Sequence, residues 1–449
     1  MSGTRWTDEQ SRVIKTRDCN LLVSAAAGSG KTAVLVERII SMVLGQYGKE
    51  PVDIDKLLVV TFTRAAAGEM RERVLKALEA EAIKDPLNEH LRKQTTYIHN
   101  AKIATIDSFC GDVVREYFSN IDLDPGFKIG DTGELKLMQS DAIATVLEER
   151  YESGDREFLR FIDEYSGTRD DSDVEEAILT LYTYASSYPN PEKWLLSLCD
   201  MYKEENSHIW LDIVADSIKE QLKECAKAAR TALDISRAQL FDKYETLLNS
   251  ECECISKMLQ AEGYDEIGKQ VKAMDFARMP IMRGLSAEDE LVKKRIANLR
   301  EGYKKTIRKL SSKYFSRSYE DMVSDVTGSL AVVQTLVDLV LRFAKEYKRI
   351  KADKDLVDFS DLEHYALEIL VSEDEEGRFV PTETALTLSK DFYEIMIDEY
   401  QDSNLVQEII LNAVAGRGVD ASNVFMVGDV KQSIYKFRMA RPELFLGKY

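Results

Sequence analysis

The stretch Leu21-Leu22-Val23-Ser24-Ala25-Ala26-Ala27-Gly28-Ser29-Gly30-Lys31-Thr32 decides the fold of this chain. An apolar strand runs into a loop of small residues, and the loop ends in Gly-Lys-Thr where a helix begins, which is the layout of a phosphate-binding loop. Gly28 and Gly30 allow a tight turn in which several backbone N–H groups point at one anion. A turn without a ligand is the alternative, but the order of strand, loop, Lys-Thr and helix is the order that phosphate binding needs.

Two side chains at the end of this loop have the chemistry that a nucleoside triphosphate requires. Lys31 offers a positive charge to the β- and γ-phosphates, and Thr32 offers a hydroxyl to the Mg²⁺ ion that accompanies them. The helix that opens at Thr32 adds the positive end of its dipole. Such loops usually begin with Gly where this chain has Ala25, which needs an ordinary backbone angle. The residues predicted to bind the nucleotide are Ala25, Ala26, Ala27, Gly28, Ser29, Gly30, Lys31 and Thr32.

A distant acidic pair complements the loop. Residues 392–397 have the pattern of an apolar strand, and Asp398 and Glu399 follow directly. In open parallel sheets, ligand-binding residues gather at the carboxyl ends of the strands. We therefore predict that Asp398 holds the Mg²⁺, largely through its water shell, and that Glu399 orients and deprotonates the attacking water.

Two glutamines are candidates for contacts at the ends of the nucleotide. Gln10 lies upstream of the first strand, and its side chain has the donor and the acceptor needed to read an adenine edge. A solvated helix cap is the alternative for Gln10. Gln432 follows the strand predicted at 423–427 and is placed to contact a γ-phosphate and report its loss. A solvated loop residue is the alternative for Gln432.

Aromatic and basic residues lie at or just after the ends of two predicted strands, at residues 57–62 and 423–427. Rings and guanidinium groups stack on nucleic-acid bases, so residues of this kind beside a phosphate sensor would link the nucleotide state to a bound strand. Core packing of the rings is the alternative, and it is favoured for Phe109 and for Phe62 when each is taken alone. The candidates for contact with DNA are Phe62, Thr63, Arg64, Tyr435, Phe437 and Arg438.

Composition limits the classes of protein to which the chain can belong. Its 449 residues allow about three domains, and 44% of them are hydrophobic. The net charge of −19 argues against a protein that coats nucleic acid over its whole surface, but it does not exclude a local DNA groove. The six cysteines are scattered without zinc spacing, which fits free thiols in a reducing cytoplasm. We find no apolar run of membrane-spanning length and no signal peptide pattern.

The spacing of apolar residues predicts an α/β fold with a helical insertion. Residues 131–350 contain Leu, Ala, Lys and Glu at helical spacing, whereas strand patterns occur on either side. Within the insertion, residues 293–317 carry ten basic residues and one acid. This run is either a track for a phosphate backbone or a solvated helix face. Its basic residues are Lys293, Lys294, Arg295, Arg300, Lys304, Lys305, Arg308, Lys309, Lys313 and Arg317.

Together these stretches resemble the first motor domain of superfamily 1 helicases of the UvrD/Rep/PcrA and RecB group. In chain order the motifs are TDEQ, AAAGSGKT, TFTRAAAGEMRERV, TIDSFC, DFSDLEHYAL, DEYQDSN and GDVKQSIYKFRMARPELF. DFSDLEHYAL and the long final motif are most similar to the A subunits of AddAB (RexAB) helicase–nucleases. The resemblance is strong over residues 1–130 and 350–449 and weak between them. Asp107 stands where the family often has His.

The resemblance implies a RecA-like P-loop NTPase fold, in which a parallel sheet is flanked by helices and carries a mostly helical inserted subdomain. Residues 1–130 and 350–449 correspond to the ATP-binding motor domain 1A, and residues 131–349 to the DNA-binding subdomain 1B. The cofactors implied are ATP and Mg²⁺. The partners implied are single-stranded and double-stranded DNA and an AddB/RexB-like second subunit, without a membrane. On the matching positions, Gln10 reads adenine, Gln432 senses the γ-phosphate, and the aromatic and basic candidates face DNA.

The family also implies movement from 3′ to 5′ along single-stranded DNA and a role in double-strand break repair. Its second RecA-like domain and nuclease domain are expected beyond Tyr449, so the chain corresponds to an N-terminal fragment. Arginine fingers contribute on the order of 10³ or more in rate, so a fragment without them is expected to bind ATP weakly and not to unwind DNA. A stand-alone UvrD-type repair helicase and a non-catalytic ATP-binding scaffold are the alternatives.

Overall fold

The strands form one main sheet and two small ones. The computed structural model describes residues 6–26, 28–121, 123–166, 170–282, 284–416, 423–432 and 439–448. The strands are β1 (Leu21–Ser24), β2 (Leu57–Thr61), β3 (Lys102–Thr105), β4 (Lys128–Ile129), β5 (Leu356–Val357), β6 (Val371–Glu373), β7 (Phe379–Pro381), β8 (Glu394–Ile397) and β9 (Val424–Gly428). The main sheet has the order β1-β9-β8-β2-β3, and all its neighbouring strands are parallel. The predicted parallel α/β sheet is confirmed.

Helices cover both faces of the sheet. Those before the insertion are α1 (Asp8–Lys15), α2 (Lys31–Val43), α3 (Arg64–Lys84), α4 (Glu89–Tyr97) and α5 (Ile106–Tyr117). Those that follow it are α16 (Phe359–Leu370), α17 (Glu383–Ser389), α18 (Leu405–Ala413) and α19 (Pro442–Leu446). Several of these helices begin at polar caps; for example, the hydroxyl of Thr63 accepts from the N–H of Ala66 at the start of α3.

The insertion is helical, as predicted. Its helices are α6 (Thr132–Ser153), α7 (Arg156–Tyr165), α8 (Ser172–Ala185), α9 (Pro191–Asp200), α10 (His208–Ala238), α11 (Asp242–Gln260), α12 (Gly263–Ala273), α13 (Ala287–Tyr314), α14 (Tyr319–Gly328) and α15 (Leu330–Ala352). Helices α10, α11 and α13 share an apolar core that includes Leu222, Ile255 and Ile307.

The central strands β2, β8 and β9 are buried along their whole length, which explains why they are largely continuous apolar runs. In β2, Leu58 and Val60 belong to the core on the side of α5 and α16, whereas Leu57 and Val59 belong to the core on the side of α2 and α3. All five residues of this strand are buried. The buried sheet therefore fixes the positions of the loops at the carboxyl ends of its strands.

The chain divides into two compact units. One consists of Met1–Asp155, Tyr165–Trp194 and Leu339–Tyr449 and contains the main sheet, and the other consists of Arg156–Glu164 and Leu195–Asp338 and is helical. Helix α6 belongs to the unit with the sheet, although it lies inside the insertion of the sequence analysis. The functional division at residues 131 and 349 stays a prediction.

One stretch differs from the expectation that no apolar run has membrane-spanning length. Within Tyr319–Ala352, an 18-residue window has a mean hydropathy of 1.5, and 28% of that window is buried. By length and composition this stretch is long and apolar enough to cross a membrane, so the expectation is wrong on those grounds. Core helices have the same composition, and Phe343 in this stretch packs edge-on against Tyr182.

Candidate nucleotide site and adjoining cleft

The phosphate-loop sequence forms a turn between β1 and α2. Gly28 and Gly30 have φ angles of 75° and 82°, a left-handed backbone that glycine adopts without steric cost. The N–H of Ala25 donates to the carbonyl of Gly428 (3.0 Å), so the pairing of β1 with β9 continues into the loop. Lys31 is the first residue of α2 and Thr32 the second. Of the predicted nucleotide-binding residues, Ala27 lies outside the described residues.

The acidic pair after β8 lies against this loop. The Lys31 ammonium group donates to Oε2 of Glu399 over 3.1 Å, although 368 positions separate the two residues. The side chain of Lys31 is 10% exposed and that of Glu399 is 35% exposed. Glu399 has a φ of 52°, which is uncommon for a residue with a side chain and costs energy that the surrounding contacts must offset. The carboxylate of Asp398 accepts from the N–H of Glu399 (3.1 Å).

The electrostatics of Asp398 suit a divalent cation. Burial and the neighbouring Glu399 carboxylate raise the pKa of Asp398 to about 6, and the charge of Lys31 acts in the opposite direction. A carboxylate that is penalised in this way gains from a nearby cation. The described residues contain no cluster of three or more His, Cys, Asp or Glu side chains able to hold a metal.

Gln10 contacts the phosphate loop. Its Nε2 donates to the carbonyl of Ser29 (3.0 Å), and its Oε1 accepts from the N–H of Thr7 (3.0 Å) within the capping box of α1. Gln10 is therefore a helix cap and a contact of the loop at the same time. Its reading of adenine stays a prediction.

Gln432 lies in the loop after β9, between the two elements of the nucleotide site. Its Nε2 donates to Oδ2 of Asp429 (2.5 Å), and its backbone N–H donates to the carbonyl of the same residue (2.8 Å). The hydrogen bond from Gln432 lowers the pKa of Asp429. Because β9 lies between β1 and β8 in the sheet, this loop emerges between the phosphate loop and the acidic pair.

Gln401 is a residue that sequence reasoning missed. It is 1% exposed, its Nε2 donates to Glu399 (2.8 Å), and its Oε1 accepts from the N–H of Asp429 (2.9 Å). It thus joins the acidic pair to the loop of Gln432. The sequence signal was its place in DEYQDSN, where a glutamine follows the acids by two positions, but no partner could be assigned to it.

A cleft of about 390 Å³ adjoins the site. One of the predicted DNA-contact residues lines this cleft, and a second contacts its wall. Phe62 lines the cleft together with Asp107, Phe359, Glu363 and Asp402. The guanidinium of Arg64 lies over the ring of Phe359, at 5.9 Å from its centroid. The cleft therefore combines aromatic walls with carboxyl groups.

The structure gives different results for Phe109 and for the remaining candidates for contact with DNA. Phe109 is 4% exposed and packs edge-on against Phe392, so it is a core residue, the alternative that the sequence analysis favoured. Thr63 uses its hydroxyl as the cap of α3. Tyr435, Phe437 and Arg438 lie outside the described residues.

Burial raises the pKa of two carboxyl groups in the cleft. The pKa of Glu363 rises to about 7, because burial and Asp107 outweigh the hydrogen bonds that Gln407 and Asn404 donate to it. Burial and the charge of Glu399 raise the pKa of Asp402 to about 6. Asp107 therefore has a neighbour, Glu363, that the sequence did not indicate.

The basic run of the helical unit is divided between the core and the surface. Arg300 is 5% exposed, and its Nε donates to both oxygens of Glu251 (3.0 Å each), so it is structural. The interleaved rings of Tyr303 and Phe315 are also buried. The exposed members of the run are Lys294, Arg295, Lys305, Arg308, Lys309, Lys313 and Arg317. They keep both of the alternatives open, a phosphate track and a solvated face.

Comparison with known proteins identifies the family. The sequence profile of the UvrD/REP helicase N-terminal domain matches residues 6–449. The chain belongs to this family. Three relatives, each named as the A subunit of an ATP-dependent helicase/nuclease, align with the chain over its whole length. They come from Lachnoclostridium phytofermentans (45% identity), Clostridium beijerinckii (40%) and Thermoanaerobacter pseudethanolicus (42%).

This UvrD/REP helicase domain spans about a third of each relative. The matched part is 33% of the relative from Lachnoclostridium phytofermentans and 36% of the other two. The match over residues 6–449 establishes the family of the chain, and the parallel sheet flanked by helices is its RecA-like α/β fold.

Proposed function

We propose that this chain is the ATP-binding motor domain of a DNA helicase, within the A subunit of a helicase–nuclease that acts in double-strand break repair. Within the full-length protein, the domain hydrolyses ATP in the presence of Mg²⁺ and drives movement from 3′ to 5′ along single-stranded DNA. The complex acts in the cytoplasm and includes a second subunit similar to AddB or RexB. The relatives named as A subunits of ATP-dependent helicase/nucleases support the assignment.

The contact between Lys31 and Glu399 carries the proposal. A phosphate-loop lysine and the acid that follows β8 lie 3.1 Å apart although they are distant in sequence. A turn that merely connects a strand to a helix has no need for a partner of this kind. A scaffold that only binds ATP has no need for an acid suited to activate water.

The described residues have clear places in such a reaction. Lys31 and the N–H groups at the start of α2 hold the phosphates, since a helix N-terminus favours anions. Thr32 and Asp398 hold the Mg²⁺, which when bound neutralises charge on the phosphate oxygens. Glu399 accepts a proton from the attacking water, and Gln432 contacts the terminal phosphate. Gln10 holds the base end of the nucleotide.

The adjoining cleft is the proposed entry of the DNA contact surface. Phe62 and Phe359 offer rings, and Arg64 lies above one of them, which suits the stacking of unpaired bases. Tyr435, Phe437 and Arg438 complete the proposed surface by their place in the sequence. The exposed cations of α13 are the proposed contact for a phosphate backbone, because they lie on one helix of an otherwise acidic chain.

Replacing Lys31 with Ala in the full-length protein tests the proposal. Loss of charge-assisted contacts with the phosphates should weaken ATP binding at least about 100-fold, measured by equilibrium titration with a fluorescent ATP analogue. The matched control is Lys56→Ala, because Lys56 forms an exposed ion pair with Asp391 (3.1 Å) in the same unit. The control should bind the analogue as the wild type does. Unchanged affinity in Lys31→Ala would overturn the proposed function.

A further inference from the structure

The side chain of Gln401 connects three parts of the nucleotide site. Its Nε2 donates to Oε2 of Glu399 (2.8 Å) and makes a longer contact with Oδ2 of Asp402 (3.4 Å). Its Oε1 accepts from the backbone N–H of Asp429 (2.9 Å). The residue is 1% exposed, so it exchanges few of these contacts for water. A buried polar group with such partners is held in one orientation, because each lost bond leaves a desolvated donor or acceptor.

The backbone around Gln401 is built to fit this side chain. A Cβ atom placed on Gly428 would lie 2.2 Å from Oε1 of Gln401 and 3.0 Å from the ring of Phe445. The last residue of β9 is therefore a glycine because the amide passes directly over it. Gly428 does not need a left-handed backbone, because its φ angle is not positive. The restriction at this position comes from the approach of Gln401.

Glu399 depends on neighbouring contacts for its geometry. Its backbone has the uncommon φ of 52°, and its side chain is 35% exposed, so packing alone does not fix the carboxylate. The described contacts of the carboxylate are those with Lys31 and Gln401. Lys31 is the residue expected to turn to the phosphates when nucleotide binds. The hydrogen bond from Gln401 is then the one that remains.

We propose that Gln401 is a positioning residue for ATP hydrolysis, which holds the Glu399 carboxylate and the Asp429–Gln432 loop in one fixed relation. The donor half of its amide orients the group that takes the proton from water. The acceptor half anchors the loop that carries the proposed phosphate sensor. Glutamine suits this place because its side chain offers a donor and an acceptor from one planar group. The role rests on the proposed function of the domain.

The test uses the full-length protein with poly-dT as the DNA, and compares Gln401→Leu with wild type. Gln401→Leu removes both hydrogen bonds at similar volume. We expect the kcat for DNA-stimulated ATP hydrolysis to fall about tenfold or more, with the affinity for ATP changed less than about threefold, since the bond acts on the water-activating group and not on the phosphates. The control is Gln94→Leu. Gln94 is also fully buried and accepts from the N–H of Ile54 (2.8 Å), but it lies on α4, and its variant should lower stability without lowering kcat.

Gln401→Glu provides a readout that a structural role would not move. It keeps an oxygen for the N–H of Asp429 but places a second carboxylate against Glu399. Burial raises the pKa of a carboxyl group, so the new carboxyl should titrate between about pH 8 and about pH 6. Its protonated form again has a donor for Glu399. The kcat of Gln401→Glu relative to wild type should therefore rise as the pH is lowered over this range. A ratio that does not change over this range would overturn the proposed donor role.

Gly428→Ala tests the same contact from the other side. The added methyl group displaces the amide of Gln401, so we expect a lower kcat, and Gly428→Ala combined with Gln401→Ala should be no slower than Gln401→Ala alone. Additive losses would overturn the coupling.

The outcomes separate this proposal from the one on which it rests. A wild-type protein that neither binds nor hydrolyses ATP overturns the proposed function together with the role of Gln401. A wild type that hydrolyses ATP, with a kcat of Gln401→Leu within about twofold of it, overturns the role of Gln401 alone.

Discussion

Helix α2 is joined to β8 and the turn after it by two ion pairs that differ in burial. Arg38 binds Glu394 through two hydrogen bonds of 2.6 and 2.9 Å, and these side chains are 1% and 6% exposed. Lys31 binds Glu399 through one contact of 3.1 Å, at the open carboxyl end of the sheet. The guanidinium of Arg38 also lies over the ring of Phe425, at 4.7 Å from its centroid.

The difference shows how one helix serves structure and chemistry at once. The buried pair has two parallel bonds and no access to water, so removing one partner leaves an uncompensated charge in the core. The outer pair is partly open to solvent and is held by a single bond, so its partners are free to exchange when phosphate enters. Seven positions along α2 separate a fixed contact from an exchangeable one.

The largest expected effect is on the outer pair. Glu399→Gln in the full-length protein should lower the kcat of ATP hydrolysis by about 10²–10⁴-fold, because an amide cannot accept the proton of the attacking water. ATP binding should persist and the unfolding temperature should stay near that of wild type, since this pair is exchangeable. The measurement is steady-state ATPase activity beside equilibrium nucleotide binding. Unaltered turnover would mean that a different group accepts the proton and that the outer pair has no role in catalysis.

The next largest effect is on the inner pair. Glu394→Gln should lower the free energy of unfolding by about 3 kcal/mol, because Arg38 then remains charged and buried without its partner. Urea unfolding of this variant against wild type gives the value. In the double variant Arg38→Met with Glu394→Leu, most of this loss should be recovered, because no buried charge is left. A single variant as stable as wild type would mean that water reaches Arg38 and that the two pairs do not differ in kind.

Glu363 extends the comparison to a buried carboxyl that has amide partners and a carboxyl neighbour. Its pKa of about 7 lies above its ordinary value of 4.5, so between these pH values the native state binds more protons than the unfolded state. Stability from this group is present below about pH 4.5 and is lost as the pH rises to about 7, by at most about 3 kcal/mol. Glu363→Gln should remove that loss.

The measurement for Glu363 is urea unfolding of wild type and Glu363→Gln at several pH values. The two proteins should be similar near pH 4.5, and the variant should gain relative to wild type as the pH approaches about 7 and above. Asp107→Asn should reduce the effect, because the charge of Asp107 contributes to the raised pKa of Glu363. A difference that does not depend on pH would show that the pKa of Glu363 is not raised in the native state.

The smallest expected effect is on an exposed pair. Lys76 and Glu72 form an i,i+4 ion pair on α3, with side chains 69% and 63% exposed. Solvent screening leaves such pairs with little net free energy, so Lys76→Ala should leave the thermal midpoint within the error of measurement. Calorimetry checks this. A clear destabilisation would mean that exposure is not what separates the pairs of α2.

The sequence located most of the sheet because most of its strands are short apolar runs. The strand predicted at 57–62 is Leu57–Thr61 in the structure, the one at 392–397 is Glu394–Ile397, and the one at 423–427 is Val424–Gly428. Boundaries shift by one or two positions because hydrogen bonding, not hydropathy, ends a strand. The predicted helical character of the insertion is also confirmed, whereas the site residues stay predictions that the geometry supports.

The basic run shows where sequence reasoning ends. The ten cations over residues 293–317 look alike in the sequence. In the structure, Arg300 is buried against Glu251, which lies on another helix. Lys293 pairs with Glu290 of its own helix (3.1 Å). Which cations remain exposed depends on how α10, α11 and α13 pack. Periodicity alone cannot give that packing, because it defines an apolar face without naming its partner.

By itself the sequence determined the chemistry of the site: a glycine-bearing turn with Lys31 and Thr32, and an acidic pair, each at the end of an apolar run. The tertiary structure decided which of these groups meet and what else joins them. The order β1-β9-β8 sets the loop of Gln432 between the phosphate loop and Glu399, and it brings Gln401 over Gly428. Local residue preferences fix a strand or a turn, but contacts across hundreds of positions depend on the order in which the strands pair.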